Sequence, residues 1–291
     1  MTATASGVGS RPGTGRTVAA PSRPPSRLRR WLGANALRIY GVLAFAYIFT
    51  PIAYIAVFSF NDGGRNNISW RGGTLANWSN PCGAPEVCSA VGNSLQIGLV
   101  ATVLATVLGT MAAFALGRHR FRGRTATNLL VFLPMATPEV VLAASLLTLF
   151  LNLGVVDLGH TTIVIAHVMF TVSFVIVAVK ARLASLDPRL EQAAMDLYAN
   201  EFETFRRVTL PLAAPGIAGA ALLAFSLSFD DFIITNFVSG DVTTFPKFVY
   251  VSATRGIPAQ AYVVGTFMFV LALAIVLGAE LLRSRAARAK A

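Results

Sequence analysis

The chain has 291 residues, of which 55% are hydrophobic and only 13% are charged, and its mean hydropathy is +0.64. This composition excludes an ordinary soluble domain and indicates a protein that lies in a lipid bilayer. The net charge of +11 comes from basic residues that fall mainly on one side of the predicted spans, so a nucleic-acid partner is not needed to explain it.

Six apolar stretches are each long enough to cross a hydrocarbon core of about 30 Å as a helix of about 20 residues. Because the backbone polar groups of a membrane span must be satisfied within the protein, we expect these stretches to be helical. The sequence therefore predicts an all-α, polytopic membrane protein with six transmembrane helices and a cytoplasmic helix pair. The predicted spans are residues 39–60, 93–117, 128–151, 161–181, 212–238 and 261–282.

Residues 1–36 precede the first span and are rich in Gly, Pro, Ser, Thr and Arg without apolar periodicity. This pattern predicts a disordered basic tail, followed by a membrane domain over residues 37–291. Twenty of the 24 Lys and Arg residues lie in or beside the tail, the 118–124 loop, the 180–207 region and the C-terminal end. By the positive-inside rule these segments, including both termini, are predicted to be cytoplasmic.

Cys82 and Cys88 are the only cysteines of the sequence, and both lie in the predicted outside loop between the first two spans. An oxidising environment there would permit a disulfide, and two unpaired thiols are the alternative. Two cysteines without a nearby histidine make a poor metal site, so no bound metal is predicted.

Three acidic residues lie within predicted spans: Glu139 in the third, and Asp230 and Asp231 in the fifth. Ionisable side chains are costly in hydrocarbon and normally face a wet cavity, so these residues are candidates for the substrate pathway. The alternatives are that the aspartates are interfacial residues that cap or solvate a helix end, and that Glu139 is protonated or hydrogen-bonded in packing. Counted along their helices, the three acids need not form one site, and a cationic cargo is their simplest charge complement. His167 is more often a packing residue than a ligand in such a position.

Prolines interrupt the third span at Pro134 and Pro138 and mark the start of the fifth at Pro211 and Pro215. Each proline removes a backbone donor and can kink a helix, which suits a hinge or a gate. Kinks are also common in membrane helices, so this pattern alone does not identify a function.

The charged segment 187–211 lies between spans four and five and reads DPRLEQAAMDLYANEFETFRRVTLP, which predicts two short helices. Asp187 can cap the first helix. Asn200, with Glu203 three residues later, is a start signal for the second helix, and Pro211 discourages its continuation. By itself, this pattern is also typical of a surface amphipathic helix with no special role.

The segment carries Glu191, Ala193, Ala194, Asp196, Leu197, Arg206, Leu210 and Pro211. In these residues and their spacing it resembles the EAA loop of ABC-importer permeases, the cytoplasmic helix pair by which the membrane subunit engages its ATPase. That family usually has glycine where this chain has Tyr198, which points to a left-handed turn that costs a non-glycine residue about 1–2 kcal/mol. Asn200 is the other candidate to carry that turn.

The resemblance extends over most of the membrane region. Residues 59–62, 133–147 and 224–240 look like the corresponding stretches of the spermidine/putrescine class of binding-protein-dependent permeases. The resemblance implies a type I importer of the bacterial inner membrane, in which two permease chains form a pore and an extracytoplasmic binding protein delivers the cargo. It also implies a second permease chain that differs from this one and a cytoplasmic ATPase dimer that binds ATP and Mg²⁺.

No motif of a catalytic site occurs in the sequence. The phosphate-cradling pattern G-x-x-x-x-G-K-[ST] is absent, and so are H-E-x-x-H and G-x-S-x-G. We therefore expect a transport subunit that is not an enzyme and has no cofactor of its own.

Our hypothesis from the sequence is a permease subunit that forms half of the pathway for a polyamine or a similar organic cation. Within the EAA-like segment, Glu191 and Asp196 would position the loop, and the alanines would allow close approach of the ATPase. Phe202 and Phe205 would fill a groove of that partner. Two alternatives stay open: a permease for ferric ion, thiamine or an opine-like amine, and an ion-coupled secondary transporter or channel whose intramembrane acids form a relay.

Overall fold

A computed structural model of the protein describes residues 27–63, 67–119, 121–154 and 156–288. Most of the predicted tail, residues 1–26, lies outside the described residues. Helix α1 begins at Arg27, within the stretch assigned to the tail. The chain divides into two compact units, Met1–Ile52 and Ala53–Ala291, and the second holds all helices after α1.

The described residues form twelve α-helices and one π-helical turn, and the β-structure among them is limited to an isolated bridge between Asn61 and Gly73. The π-helical turn is Phe205–Thr209. The α-helices are α1 (Arg27–Phe58), α2 (Ala76–Ser79), α3 (Val87–Arg118), α4 (Arg124–Ala136), α5 (Glu139–Leu153), α6 (His160–Ala184), α7 (Arg189–Asp196), α8 (Glu201–Thr204), α9 (Leu210–Asp230), α10 (Ile233–Val238), α11 (Phe245–Arg255) and α12 (Ala259–Arg288).

Within the described residues, five helical segments are long and apolar enough to cross a membrane, and a bent pair makes a sixth if it is one span. The prediction of an all-α membrane protein with six spans is confirmed in this sense. The five segments are Asn35–Phe58, Val87–Arg118, His160–Ala184, Glu201–Asp230 and Ala259–Gly278.

The third predicted span is not one helix. Helices α4 and α5 are bent by 104° relative to each other at Thr137 and Pro138. Thr137 has an extended backbone, as residues before proline prefer, and Pro138 has no N–H with which to continue the helix. Pro134 is accommodated inside α4. The predicted span over residues 128–151 is therefore formed by two helices, and the bend lies at Pro138, one of the two prolines at which a kink was expected.

The fifth predicted span is also interrupted, near its C-terminal end. Helix α9 ends at Asp230, Asp231 has an extended backbone with φ −63° and ψ 125°, and α10 begins at Ile233. The prediction of one helix over residues 212–238 is therefore wrong. The break places two neighbouring aspartates at a helix junction within an otherwise apolar stretch.

Helices α3, α6 and α9 pack around a core of small and branched side chains. Gly109 on α3 lets α6 approach closely, since a Cβ atom there would lie 2.7 Å from Cβ and Cγ1 of Val175. Small residues that permit such approach are common between membrane helices. The buried core residues are Ala105, Ala113, Leu116, Val175, Ile176, Val179, Leu183, Ala213, Ala220 and Ala224.

We expect Gly109→Ala to destabilise this packing by about 1–3 kcal/mol, the usual cost of an overpacked core. The new methyl group would also lie 3.2 Å from the Val172 carbonyl oxygen, and this backbone atom cannot move without displacing α6. Gly92→Ala is a matched control on the same helix, because a Cβ atom at Gly92 would have no neighbouring atom within 4 Å. The control should stabilise α3 by about 0.5–1 kcal/mol. Thermal unfolding in detergent measures both effects, and shifts of the same sign would contradict this account.

The loop between α1 and α3 is held by buried amides and a disulfide. Asn61 donates through Nδ2 to Asn67 Oδ1 and to the Ser69 carbonyl oxygen, at 2.7 Å each. Cys82 and Cys88 are disulfide-bonded, so the alternative of two unpaired thiols is wrong. The loop therefore has cross-links of its own in addition to its packing against the helices.

Candidate functional site

The first helix of the 187–211 segment is tied to the rest of the chain by Glu191. Its Oε1 atom accepts hydrogen bonds from Arg118 Nη2 at 2.6 Å and from Thr209 Oγ1 at 2.8 Å. Arg118 ends α3, and Thr209 ends the π-helical turn. Asp187 Oδ1 accepts from the Arg189 N–H at 2.9 Å, as the predicted cap requires. Glu191 thus joins α7 to two other elements of the same chain.

The second helix begins with the predicted reciprocal cap. Asn200 Oδ1 accepts from the Glu203 N–H at 2.8 Å, and Glu203 Oε2 accepts from the Asn200 N–H at 3.2 Å. The helix does not end before Pro211, however, since it continues through the π-helical turn into α9. In that turn the Leu210 N–H bonds to the Phe205 carbonyl oxygen, five residues back. This wider turn and the position of Pro211 in the first turn of α9 let the helical path continue.

The turn between the two helices is left-handed at Tyr198, whose φ is 65°. The left-handed turn predicted at this position is confirmed. Asn200, the other candidate, has an extended backbone with φ −74° and ψ 170°, so that alternative is wrong. Tyr198 is 98% exposed, so packing of its side chain does little to offset a backbone cost of about 1–2 kcal/mol.

We expect Tyr198→Gly to stabilise this turn by about 0.5–1 kcal/mol, because glycine relieves most of the left-handed strain but adds backbone entropy to the unfolded chain. Leu197→Gly is the matched control, since Leu197 is also exposed but has an ordinary φ of −90°. The control should destabilise the turn by about 0.5–1 kcal/mol. Limited proteolysis of the 187–211 segment measures local opening. Equal protection of the two variants would contradict the predicted backbone strain at Tyr198.

The exposed face of the segment is formed by residues of both helices. Phe202 is 69% exposed, whereas the Phe205 ring packs edge-on against Phe114 of α3, with ring centroids 5.0 Å apart. Phe202 is therefore mostly accessible to a partner, whereas Phe205 packs within its own chain. Of the remaining predicted coupling residues, Ala194 and Leu210 are half-buried, and the exposed ones are Ala193, Asp196, Leu197 and Pro211.

A groove of about 760 Å³ lies beside Phe202, between the end of α3 and the α7–α8 pair. Its apolar lining includes Met111, Phe114, Met195, Phe202 and Phe205, and the Glu191 ion pair with Arg118 lies at its wall. The segment therefore presents both a projecting aromatic ring and an adjacent concave surface.

The second candidate region is formed where the two helix breaks meet. Glu139 is the first residue of α5, Asp230 is the last residue of α9, and Asp231 lies in the following break. The Glu139 carboxyl group lies near both aspartates and interacts electrostatically with Asp231 and Asp230. The three predicted pathway residues thus form one acidic cluster.

Asp231 is 6% exposed and caps α10. Its Oδ2 atom accepts from the Thr235 N–H at 2.8 Å and from Thr235 Oγ1 at 2.9 Å, and its Oδ1 atom accepts from the Ile234 N–H at 3.3 Å. Asp231 therefore caps a helix end, which was the alternative interpretation of the aspartates. Asp230, in contrast, is exposed.

His167 of α6 is 1% exposed and joins this cluster. Its Nδ1 atom lies 2.7 Å from Ser228 Oγ, and its Nε2 atom lies 3.1 Å from both Asp231 Oδ2 and Thr235 Oγ1. It is a satisfied packing residue, as expected for a lone histidine. Sequence reasoning missed its contact with the acids, and it missed Ser228 and Thr235, because the contacting residues are 61 to 68 positions apart.

Lys247 holds the opposite end of α10. Its Nζ atom donates to Ser239 Oγ at 2.7 Å and to the carbonyl oxygens of Gly240 and Val242 at 3.1 Å each. Burial lowers the pKa of the Lys247 ammonium group, and the nearby Asp241 carboxylate partly opposes this effect. The ammonium group is therefore hydrogen-bonded to oxygen atoms of the loop that follows α10.

Comparisons with known proteins agree on one family. Residues 105–288 match the family described as the binding-protein-dependent transport system inner membrane component. The spermidine/putrescine transport system permease protein PotC of Escherichia coli (strain K12) is 35% identical over 239 residues, which are 82% of this chain and 90% of PotC. The putrescine transport system permease protein PotI of the same organism is 36% identical over 234 residues, 78% of this chain and 83% of PotI.

Solved structures share the fold. A chain of a bacterial ABC transporter involved in the import of alginate has a TM-score of 0.67 at 18% identity, over 89% of this chain and 99% of that one. A chain of the MetNI methionine ABC transporter has a TM-score of 0.56 at 17% identity, over 69% of this chain and 95% of that one. The resemblance found in the sequence is confirmed: the chain belongs to the family of inner membrane components of binding-protein-dependent transport systems.

Proposed function

We propose that this chain is a permease subunit of an ATP-driven importer that carries polyamines or a similar organic cation across the bacterial inner membrane. The observation that carries the proposal is the acidic cluster of Glu139, Asp230 and Asp231 at the junction of two broken helices. The names of its relatives, which are spermidine/putrescine and putrescine permeases, support the same cargo class.

Physical chemistry favours a cation at this cluster. Carboxyl groups that lie together repel one another when ionised, and an ammonium group between them would relieve that repulsion. Irregular backbone at membrane depth is tolerated where it is buried in protein or lines a wet cavity. The break between α9 and α10 and the bend between α4 and α5 provide such a place, and exposed Asp230 is the acid most accessible to a cargo.

The coupling role is assigned to the exposed face of residues 187–211. In our proposal a dimer of cytoplasmic ATPases binds this face and itself binds ATP and Mg²⁺, while both termini of the permease lie on the same side. The run from Glu201 to Asp230 is continuous helix, so displacement at α8 reaches the acidic cluster through one rigid element. The bonds of Glu191 to Arg118 and Thr209 would move α3 together with it.

The proposed assembly contains a second permease chain, different from this one, and an extracytoplasmic binding protein that delivers the cargo. One structural neighbour is an alginate ABC transporter in complex with a periplasmic protein that holds an alginate pentasaccharide; its chain has a TM-score of 0.65 with this one. The fold is therefore compatible with an assembly of this kind.

The test is purification of the tagged chain from its native membrane, followed by reconstitution with whatever ATPase and binding protein accompany it. We expect ATP-dependent uptake of labelled spermidine that unlabelled putrescine reduces and thiamine or ferric ion does not. Uptake of thiamine or ferric ion instead would contradict the cargo. Uptake driven by an ion gradient without ATP would contradict the importer and support a secondary transporter.

A further inference from the structure

We propose that His167 is the positioning residue of the acidic cluster: it holds Asp231 as a helix cap, so that Glu139 and Asp230 are the acids left to contact a cargo. The statement about cargo rests on the proposed function. The positioning of Asp231 follows from the contacts of His167, Ser228, Asp231 and Thr235 alone.

The carboxylate of Asp231 has little capacity left for a ligand. Its Oδ2 atom receives three donors, the Thr235 N–H, Thr235 Oγ1 and His167 Nε2, at 2.8 to 3.1 Å. A carboxylate oxygen offers about two lone-pair sites, so three donors saturate it. With 6% of its surface exposed, Asp231 could meet an ammonium group only after losing bonds that hold α10.

The hydrogen-bonding pattern identifies Nε2 as the atom of His167 that donates to Asp231. The Thr235 hydroxyl donates to Asp231, so its oxygen can accept from the imidazole. His167 Nε2 therefore carries a hydrogen that is shared between Asp231 Oδ2 and Thr235 Oγ1, while Nδ1 faces the Ser228 hydroxyl. Through one ring, α6 is bonded to α9, to the break and to α10.

The break fixes where Asp230 is directed. Successive residues of an α-helix are rotated by about 100°, so continuation of α9 through Asp231 would change the environment of both aspartates. Burial of Asp231 without its histidine donor would be costly, because a buried acceptor that loses a partner loses its compensation for desolvation. Removal of the His167 donor should therefore favour rearrangement of the break and displace Asp230 relative to Glu139.

Two substitutions at His167 distinguish a residue that positions Asp231 from a residue that only fills space in the core. In His167→Gln the terminal amide nitrogen can take the place of Nε2 and donate to Asp231. In His167→Asn the amide is one methylene shorter and reaches only the Nδ1 position. Thr171→Val is the matched control, since Thr171 is fully buried one turn away and its hydroxyl bonds within α6 to the His167 carbonyl oxygen.

The readout is the rate at which a small cationic methanethiosulfonate reagent labels an Asp230→Cys thiol in membranes that contain the assembled transporter. Cys82 and Cys88 are disulfide-bonded and do not compete for the reagent. We expect His167→Asn to change this rate at least about fivefold, because loss of a buried bond shifts a conformational equilibrium by that much or more. His167→Gln and Thr171→Val should keep the starting rate. Equal rates in all four proteins would overturn the proposal whatever the cargo is, and so would equal changes in the asparagine and glutamine variants.

Spermidine uptake then tests the link to cargo in chains that keep Asp230. If His167 acts by positioning Glu139 and Asp230, His167→Asn should reduce uptake strongly in the native chain and little in a Glu139→Gln background. Fully additive losses would contradict that link. Absence of uptake by the unsubstituted importer would refute the proposed cargo, while the labelling rates would still decide the role of His167.

Discussion

Ala194→Glu is expected to reduce ATP-driven uptake at least about thirtyfold, since an unpaired charge buried at an interface costs about 2–5 kcal/mol and 1.4 kcal/mol is a factor of ten. Ala194 is half-buried on α7, next to exposed Ala193 and one turn before exposed Leu197. A longer, charged side chain there would keep the proposed ATPase from approaching this face. ATP hydrolysis by the partner should continue, because the substitution does not touch the nucleotide site.

Gln192→Glu is the control, because it adds the same charge to an exposed position of the same helix outside the Leu190, Ala193, Ala194 and Leu197 face. Uptake in reconstituted vesicles and ATP hydrolysis should be measured on the same preparations, together with the amount of permease in the membrane. Unimpaired uptake by the Ala194 variant would contradict the coupling role of the segment. Equal losses in the Gln192 variant would show that added charge alone, not its position, is responsible.

The second large effect is a difference between two neighbouring aspartates. Asp230→Asn should lower uptake about tenfold or more without loss of stability, because a charge-assisted bond to a cationic cargo is worth about 1.5–3 kcal/mol. Asp231→Asn should lower uptake and also destabilise the protein by about 1–2 kcal/mol, since it weakens the cap of α10 and the bond to His167.

Asp157→Asn is a suitable control for both variants, since Asp157 is an exposed carboxylate outside the helices. Thermal unfolding in detergent measures stability, and initial uptake rates at saturating binding protein measure transport. A stability loss for Asp230→Asn that matches that of Asp231→Asn would refute the division of roles. So would unchanged uptake by both variants.

Local sequence signals were sufficient to predict a structural feature when the residues that cause it lie within a few positions of one another. The reciprocal cap of Asn200 and Glu203 needs only a spacing of three, and the left-handed turn at Tyr198 follows the family pattern for that position. The apolar stretches likewise gave the spans, because length and hydropathy decide whether a helix can cross a bilayer. The sequence could not show which phenylalanine of the exposed segment contacts its own chain. Phe202 and Phe205 look alike in sequence, but only Phe205 packs on Phe114.

The effect of each proline on its helix could not be predicted from the neighbouring residues alone. Pro134 lies inside α4, Pro138 precedes a bend of 104°, and Pro211 follows a π-helical turn without ending the helix. Each lacks the same N–H, so the sequence alone cannot tell which of them will break a span. The outcome depends on whether neighbouring turns and helices can satisfy the freed carbonyl groups.

The amino-acid sequence by itself determined that this protein spans the membrane with helices and carries acids within them, because hydrophobicity and charge are properties of each residue. Only the tertiary structure decided that Glu139, Asp231 and His167 meet, since His167 and Asp231 are 64 positions apart and a helix break directs each acid. Such a meeting is set by the packing of α6 against α9 and by the bend after α4. Its physical reason is that a buried carboxylate must find donors, and in this fold a neighbouring helix supplies one of them.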